Sequence, residues 1–329
     1  MQNKAIEQIK NSTELPVIMA PMFLISNPKM VINACTSGII GTFPALNARN
    51  GDILEDWMKE ITTELEKQSE ANPNRKIGPW GINFIVHRSN KRYMEDLKLI
   101  EKYQPPVVIT SLGDPGPVVD IVHQYGGVVL SDVINIKFAK KAIEKGADGL
   151  VLVASGAGGH GGTYNPIPFV HEVREFFDGP IVLSGGMSKG EDILVAELLG
   201  ADYAYVGTRF IPAEESGAQE EYKNMIVDSS IEDIIYTDAF SGVHANYLIP
   251  SIVNAGLDPT NLQKKETIDF SKGKDGEVKA WKDVWGAGQG VGSITKIQTV
   301  SEIVEELKND YYKAVQKVSQ KSGEFAYER

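Results

Sequence analysis

Residues 154–164 read Ala-Ser-Gly-Ala-Gly-Gly-His-Gly-Gly-Thr-Tyr, a run in which five glycines surround one histidine. Glycine at this density has an entropic cost and offers no side chain to pack, so it marks a place where something approaches the backbone closely. His160 is the one reactive side chain left in the run. An imidazole with a pKa of about 6.5 suits a general base at neutral pH. Two more glycine turns follow at similar intervals, Ser184-Gly185-Gly186-Met187 and Tyr205-Val206-Gly207-Thr208. Bare N–H groups, a threonine hydroxyl and the start of a helix after Gly190 make a cradle for a phosphate without a lysine. A flat ring and a phosphate side by side would explain the glycines better than a sugar phosphate would, and that combination points to flavin mononucleotide.

Other candidates carry less. Gly156 to Gly161 formally spells G-x-G-x-x-G, but Pro166 and Pro168 delay the helix that a dinucleotide fold starts at once. His87 and His244 stand where they could approach a site, whereas His123 and His171 fall in helical segments. Cys35, the single cysteine, lies in the helical-looking stretch MVINACTSG and reads as buried and inert. No His, Cys and carboxylate spacing suggests a metal, and no G-x-S-x-G elbow suggests a serine hydrolase. The late run Trp285-Gly286-Ala287-Gly288-Gln289-Gly290 is expected to fold back over the site, with Gln289 as a hydrogen-bonding partner.

These turns need elements to hold them. Eight short apolar runs read as strands: Pro16–Ala20, Gly38–Phe43, Gly81–Val86, Val107–Ser111, Val128–Ser131, Gly149–Ala154, Pro180–Ser184 and Tyr203–Gly207. They are nearly continuous in hydrophobicity, the mark of a parallel sheet covered on both faces. Helical periods lie between them, at Asn27–Thr36, Ile53–Gln68, Lys91–Tyr103, Pro117–Tyr125, Ile136–Lys145, Phe169–Phe177, Gly190–Leu199 and Glu214–Val227. Eight alternations predict a (β/α)8 TIM barrel over residues 1–228, whose chemistry sits at the C-terminal ends of the strands. Residues 229–329 are expected to form a C-terminal cap over the mouth: a helical part at 231–256, a polar loop at 269–282, and a closing helix at about 299–320. No linker separates the two parts.

With 329 residues, 42% hydrophobic content and 23% charged, the chain is of ordinary globular composition. A net charge of −11 argues against nucleic acid or an anionic membrane as partner. No run reaches the length of a membrane span, and the first residues lack a signal-peptide core, so a cytoplasmic enzyme acting as a monomer or homodimer is expected.

The set resembles the nitronate monooxygenase family, once called 2-nitropropane dioxygenase. The resemblance is carried by Ala20-Pro21-Met22, Asn83 in Gly-Ile-Asn, the His160 run, Ser-Gly-Gly-Met, Gly207-Thr208-Arg209-Phe210 and Ala-Gly-Gln-Gly, in that order along the chain. It implies a non-covalent FMN in a TIM barrel and oxidation of alkyl nitronates, such as propionate 3-nitronate, by O2 to a carbonyl compound and nitrite. It implies that His160 deprotonates neutral nitroalkanes beside the flavin and that Asn83 bonds the ring. The cofactor-binding positions are then Ala20, Pro21, Met22, Asn83, Ser131, Val153, Ala154, Gly158, Gly159, Ser184, Gly185, Gly186, Tyr205, Val206, Gly207, Thr208 and Gln289. The chain departs from the pattern at Val153 and Gly156, where many members carry Gln and Glu, at Tyr205-Val206, where a Gln usually precedes Gly-Thr, and at Ser111-Leu112-Gly113, where Ser-Phe-Gly is usual. Two sister activities share the architecture, a flavin-dependent enoyl-acyl-carrier-protein reductase and an NADH:quinone reductase. A non-redox sugar-phosphate barrel would need a Schiff-base lysine or a carboxylate pair at strand ends; Asp132 is available there, but no strand-end lysine is.

Overall fold

The computed structural model describes residues 2–264 and 280–325. The first half runs α1 (Gln2–Ser12), β1 (Val17–Met19), α2 (Pro28–Thr36), β2 (Ile40–Pro44), α3 (Gly51–Ala71), β3 (Trp80–Ile85), α4 (Tyr93–Tyr103), β4 (Val107–Ser111), α5 (Gly116–Val122), β5 (Val128–Val133) and α6 (Ile136–Glu144). The second half runs β6 (Gly149–Val153), β7 (Gly159–His160), α7 (Pro166–Arg174), β8 (Ile181–Ser184), α8 (Gly190–Leu199), β9 (Tyr203–Val206), α9 (Glu220–Asp228), β10 (Ile234–Thr237), β11 (Ala245–Leu248), α10 (Ile249–Asn254) and α11 (Val300–Phe325). Strands β1–β6, β8 and β9 close into a parallel barrel, with β1 pairing β9 at Val17↔Ala204. This is the (β/α)8 TIM barrel that the alternation predicts.

Side chains alternate across each strand. One set points inward: Ile18, Ile40, Val107, Ile109, Val128, Leu130, Val151, Val182 and Tyr203 pack into a dry plug around the barrel axis. The other set, including Phe84, Val108, Val129, Leu152, Ile181 and Ala204, packs outward on the helices. Ile6 and Ile9 of α1 press against the inner cluster, so the N-terminal helix stoppers the barrel on the side away from the site.

Four helices that start at the barrel mouth take an asparagine as N-cap. Asn27, Asn50, Asn135 and Asn165 each accept from the N–H group of Met30, Ile53, Phe138 and Ile167, respectively. The last case corrects the expected start of α7. Pro166 occupies the first helical turn instead of delaying it, because an N–H group there would have no partner in the helix anyway.

Two differences concern the C-terminal third. Residues 231–256 are not a helical cap: β10 and β11 pair antiparallel, β11 pairs β7, and only α10 is helical. Ile234-Ile235-Tyr236 and Ala245–Leu248 have the β-branched and aromatic content of strands, and Phe240, Tyr247, Ile252 and Val284 give them a core of their own. The closing helix α11 packs against α8 and α2, completing the outer ring beside β9. Arg209, just after β9, ties it down through Glu306 and Gln298. The loop expected at 269–282 lies outside the described residues except for 280–282.

Candidate active site at the barrel mouth

Along the inner face, the dry plug gives way to polar residues at the C-terminal ends of the strands. Asn83, Ser111, Asp132, Val153 and Tyr205 are each partly accessible, while their outward neighbours Phe84, Thr110, Val133, Ala154 and Val206 are buried. Accessibility on the inner face alone defines a hollow at the mouth, the place where barrels keep their chemistry. Ser184 joins this layer, nearly buried.

The polar groups form a chain. Asn83 Nδ2 donates to Ser111 Oγ at 2.6 Å and stands 3.3 Å from the carbonyl oxygen of Ile109, which fixes the amide orientation. Ser111 in turn donates its hydroxyl to Asp132 Oδ2. The other carboxylate oxygen, Asp132 Oδ1, is buried and has no partner among the described residues, as is the hydroxyl of Tyr205. Burial pushes Asp132 up to about 6, against the Ser111 hydrogen bond that lowers it. Tyr205 is pushed well above its ordinary value, first by burial and then by the Asp132 charge.

Around this floor the glycine turns converge. A Cβ on Gly158 would stand 2.9 Å from the backbone nitrogen of Gly288 and 3.4 Å from Thr208 Oγ1, so the loop after β6 meets the late glycine run backbone to backbone, beside the Thr208 hydroxyl of the loop after β9. Gly288 N–H donates to Thr208 Oγ1 at 2.8 Å, and Gln289 N–H donates to the Gly156 carbonyl at 2.9 Å. Ser188 Oγ donates to the Gly290 carbonyl at 2.8 Å. Gly186 has φ of +70°, with the nitrogen of Gly290 3.9 Å from where its Cβ would be. Among the described residues, the N–H groups of Gly186, Gly207 and Thr208 donate to no acceptor. The start of α8, expected to help hold a phosphate, is already occupied. Asp192 accepts from the N–H groups of Ser188 and Lys189, both at 2.8 Å. The unspent donors are those of the loops.

Ala20 lies beside Gly207, 3.5 Å from where its Cβ would be, and Met22 follows at 3.9 Å. Pro21 continues the same turn. Three of the expected positions turn away from the hollow: Ser131 bonds Thr110 at 2.7 Å on the outer face, and Ala154 and Val206 are buried in the outer core. Alternation explains this, since Leu130 points inward and Asp132 is the next inward residue. Asp132 is therefore the residue of β5 that faces the hollow. Gly159 pairs with Asn246 in the cap sheet, and the Asn246 amide donates to the Ala157 carbonyl at 2.7 Å.

His160 is carried by β7 into that cap sheet. Its Nε2 stands 3.0 Å from Ser241 Oγ, and its ring meets Trp281 edge-on at 5.5 Å. The Ser241 hydroxyl donates to the Val243 carbonyl at 3.0 Å, which leaves Nε2 as the donor to Ser241. Burial pulls His160 down to about 4, which keeps it neutral through the physiological range. Ser241, Asn246 and Trp281 had no glycine signature to mark them in the sequence. The remaining histidines lie elsewhere. His87 bonds Ser89 in its own loop, His123 pairs with Asp148, and His244 stacks on Tyr236 at 5.0 Å near Asp238. Cys35 is buried in α2, its thiol pushed up to about 12 by burial.

Among the described residues, no helix is long and apolar enough to cross a membrane, and no three His, Cys, Asp or Glu residues group as metal ligands. Comparison with known proteins supplies the rest. The nitronate monooxygenase family model matches residues 5–310. A nitronate monooxygenase of Paraburkholderia phytofirmans is 23% identical over 355 aligned positions, covering 93% of this chain and 94% of that one. A probable nitronate monooxygenase of Staphylococcus aureus is 25% identical over 263, covering 70% and 74%. Among solved structures, FabK from Thermotoga maritima aligns with a TM-score of 0.76 at 21% identity, covering 96% of this chain and 98% of that one. A nitroalkane oxidase from Streptomyces ansochromogenes aligns at 0.72 and 20%, covering 95% and 99%. The barrel, its polar mouth and this match across nearly the whole chain agree: the protein is an oxidoreductase belonging to the nitronate monooxygenase family of flavin enzymes.

Proposed function

We propose that the chain is an FMN-dependent nitronate monooxygenase, oxidising alkyl nitronates with O2 to a carbonyl compound and nitrite. The observation that carries this reading is the pairing of a polar, partly accessible inner face at the strand ends with backbone donors at Gly186, Gly207 and Thr208 that meet no acceptor among the described residues. One such cradle suits one phosphate, and a mononucleotide has one. The residues that would hold FMN are Ala20, Met22, Asn83, Gly158, Ser184, Gly185, Gly186, Gly207, Thr208 and Gln289. When bound, the flavin supplies the electron-transfer chemistry that the side chains lack.

The protein's part is binding and proton handling. With a neutral nitroalkane, His160 takes the proton from the carbon next to the nitro group, and the electron pair moves onto the nitro oxygens. Ser241 holds the imidazole through Nε2 and orients the ring for that transfer. Burial disfavours the imidazolium, and the nitronate formed beside it offsets that cost. A preformed nitronate needs no such step.

Two measurements test the reading. Anaerobic titration of the purified protein should show the flavin band near about 450 nm reduced by ethyl nitronate and untouched by NADH or NADPH; bleaching by the nicotinamide alone would place the chain with the reductases of this fold. Replacing His160→Gln should leave the flavin bound and lower kcat/KM for nitroethane by about 10²–10⁴-fold, while ethyl nitronate turnover stays near wild type. Equal losses on both substrates would remove His160 from the role of base.

A further inference from the structure

Trp281 holds a backbone conformation that its side chain does not favour. Its φ is +69°, and among the described residues only Leu24, Gln104 and Leu112 share a positive φ without being glycine. A left-handed backbone is an outlier for a residue with a ring, and it persists only where the surroundings over-determine it. Here they do. The Trp281 N–H donates to the Val284 carbonyl at 2.8 Å, and Ala280 bridges Val284. The same short segment is docked on β11: Gly286 bridges Tyr247, and the Leu248 N–H donates to the Trp285 carbonyl at 2.8 Å.

What that backbone delivers is an indole laid against the histidine strand. It meets the His160 ring at 5.5 Å and 86°, and the Tyr247 ring at 5.1 Å. Its Cη2 comes 3.8 Å from where a Cβ on Gly159 would be, and its Cζ3 2.4 Å from where one on Gly286 would be. Gly286 is therefore the gap that the indole fills. Tyr247 is wholly buried and rests in turn on Phe240 at 4.9 Å. The aromatic row Phe240, Tyr247, Trp281 thus ends on the imidazole, whose Nε2 is held by Ser241.

We propose that Trp281 is a positioning residue for His160: its indole fixes the imidazole in the cap sheet and keeps water off that side of the ring. This deepens the function proposed above and rests on its assignment of His160 as base. Excluding water from an imidazole disfavours its charged form, so the contact holds the base neutral. The titratable and charged groups on the cap strands, their connection and the 280–286 segment are Tyr236, Asp238, His244, Tyr247, Lys282 and Asp283. Burial is the cause of the drop at His160, and none of these groups contributes to it.

The test reads the His160 titration directly, by NMR of the flavin-loaded protein labelled at the histidine ring carbons, with His160→Gln identifying the signal. In the wild type the midpoint should lie at about 4. Trp281→Gly accepts the left-handed backbone and removes the indole, so its midpoint should rise by about one pH unit or more, a ~10-fold or larger gain in proton affinity. Trp281→Phe keeps an aromatic ring there and should restore most of the drop. Gly286→Ala puts a methyl where the indole lies and should raise the midpoint with Trp281 still present; it serves if Trp281→Gly does not fold. The acid limb of kcat/KM for nitroethane should move upward with the midpoint. An unchanged midpoint in Trp281→Gly, or in Gly286→Ala where the former does not fold, would overturn the proposal, as would a rise in Trp281→Phe as large as in Trp281→Gly. A midpoint that rises while the nitroethane profile stays in place would leave the positioning standing and overturn His160 as the base.

Discussion

Two titrating groups at the mouth are shifted by burial in opposite senses, and this makes a prediction about stability. His160 falls from 6.5 to about 4 on folding, and Asp132 rises from 3.8 to about 6. Between pH 4 and 6.5 the unfolded chain binds more protons at His160 than the folded one, so that residue makes stability fall as the solution is acidified. Between pH 3.8 and 6 the folded chain binds more protons at Asp132, so that residue makes stability rise on acidification. At about 1.4 kcal/mol per pKa unit, each effect amounts to about 3 kcal/mol, and in the wild type they nearly cancel. Single variants should expose them. Asp132→Asn keeps only the histidine effect and should lose about 3 kcal/mol relative to wild type between pH 6.5 and 4. It should also be the more stable protein at pH 7, where the buried carboxylate charge no longer has to be tolerated. His160→Gln keeps only the carboxylate effect and should gain about 3 kcal/mol relative to wild type between pH 6 and 4. Differences of that size move the melting temperature of a chain this long by about 4 °C. Denaturant unfolding of the three flavin-free proteins at intervals of half a pH unit reads both slopes, and titrations common to all three cancel in the differences. Variant curves parallel to the wild type would refute the burial argument for both residues.

Two further expectations concern backbone contacts. Gly158→Val forces Cβ against the nitrogen of Gly288 and should displace the late glycine run, losing the Gly288–Thr208 and Gln289–Gly156 hydrogen bonds. At about 1 kcal/mol for each bond, flavin dissociation measured by fluorescence should weaken ~10-fold or more; unchanged affinity would mean that the run does not bear on the cradle. Gly190→Ala places a methyl 2.2 Å from the Leu307 carbonyl oxygen and 2.4 Å from the Tyr311 nitrogen, both backbone atoms of α11. Overpacking against a helix that cannot yield locally should cost about 3 kcal/mol in denaturant unfolding and leave flavin affinity untouched, and a neutral result would show that α11 shifts freely.

The barrel was legible because its signal is local and repeated: Val107–Ser111 and Gly190–Leu199 have the boundaries expected from apolar runs and a following glycine. The glycine turns were legible for the same reason, since close approach leaves a compositional trace. What the sequence hid depended on side-chain direction or on distant pairing. Ser131 and Asp132 are adjacent, and only the register of β5 against its neighbours decides which one faces the hollow. The cap strands β10 and β11 are short, and β11, between β10 and the two-residue β7, is held by a partner some eighty-five residues away, Ala245 pairing with His160. The ring position beside β9 is filled by α11, nearly a hundred residues later, because Arg209 and Glu215 anchor it through Gln298, Glu306 and the Val300 N–H. The stopper helix α1 carried an amphipathic pattern with no turn signal to attach it to the barrel.

The departures at Val153 and Tyr205 acquire a meaning from this geometry. Both positions face inward, on either side of β8, and neither carries an amide. A glutamine at either place would offer its own donor and acceptor. Valine cannot, and tyrosine brings a single hydroxyl that is itself unsatisfied. Two buried polar atoms, Asp132 Oδ1 and the Tyr205 hydroxyl, thus have no partner among the described residues, and a buried polar group without a partner costs stability.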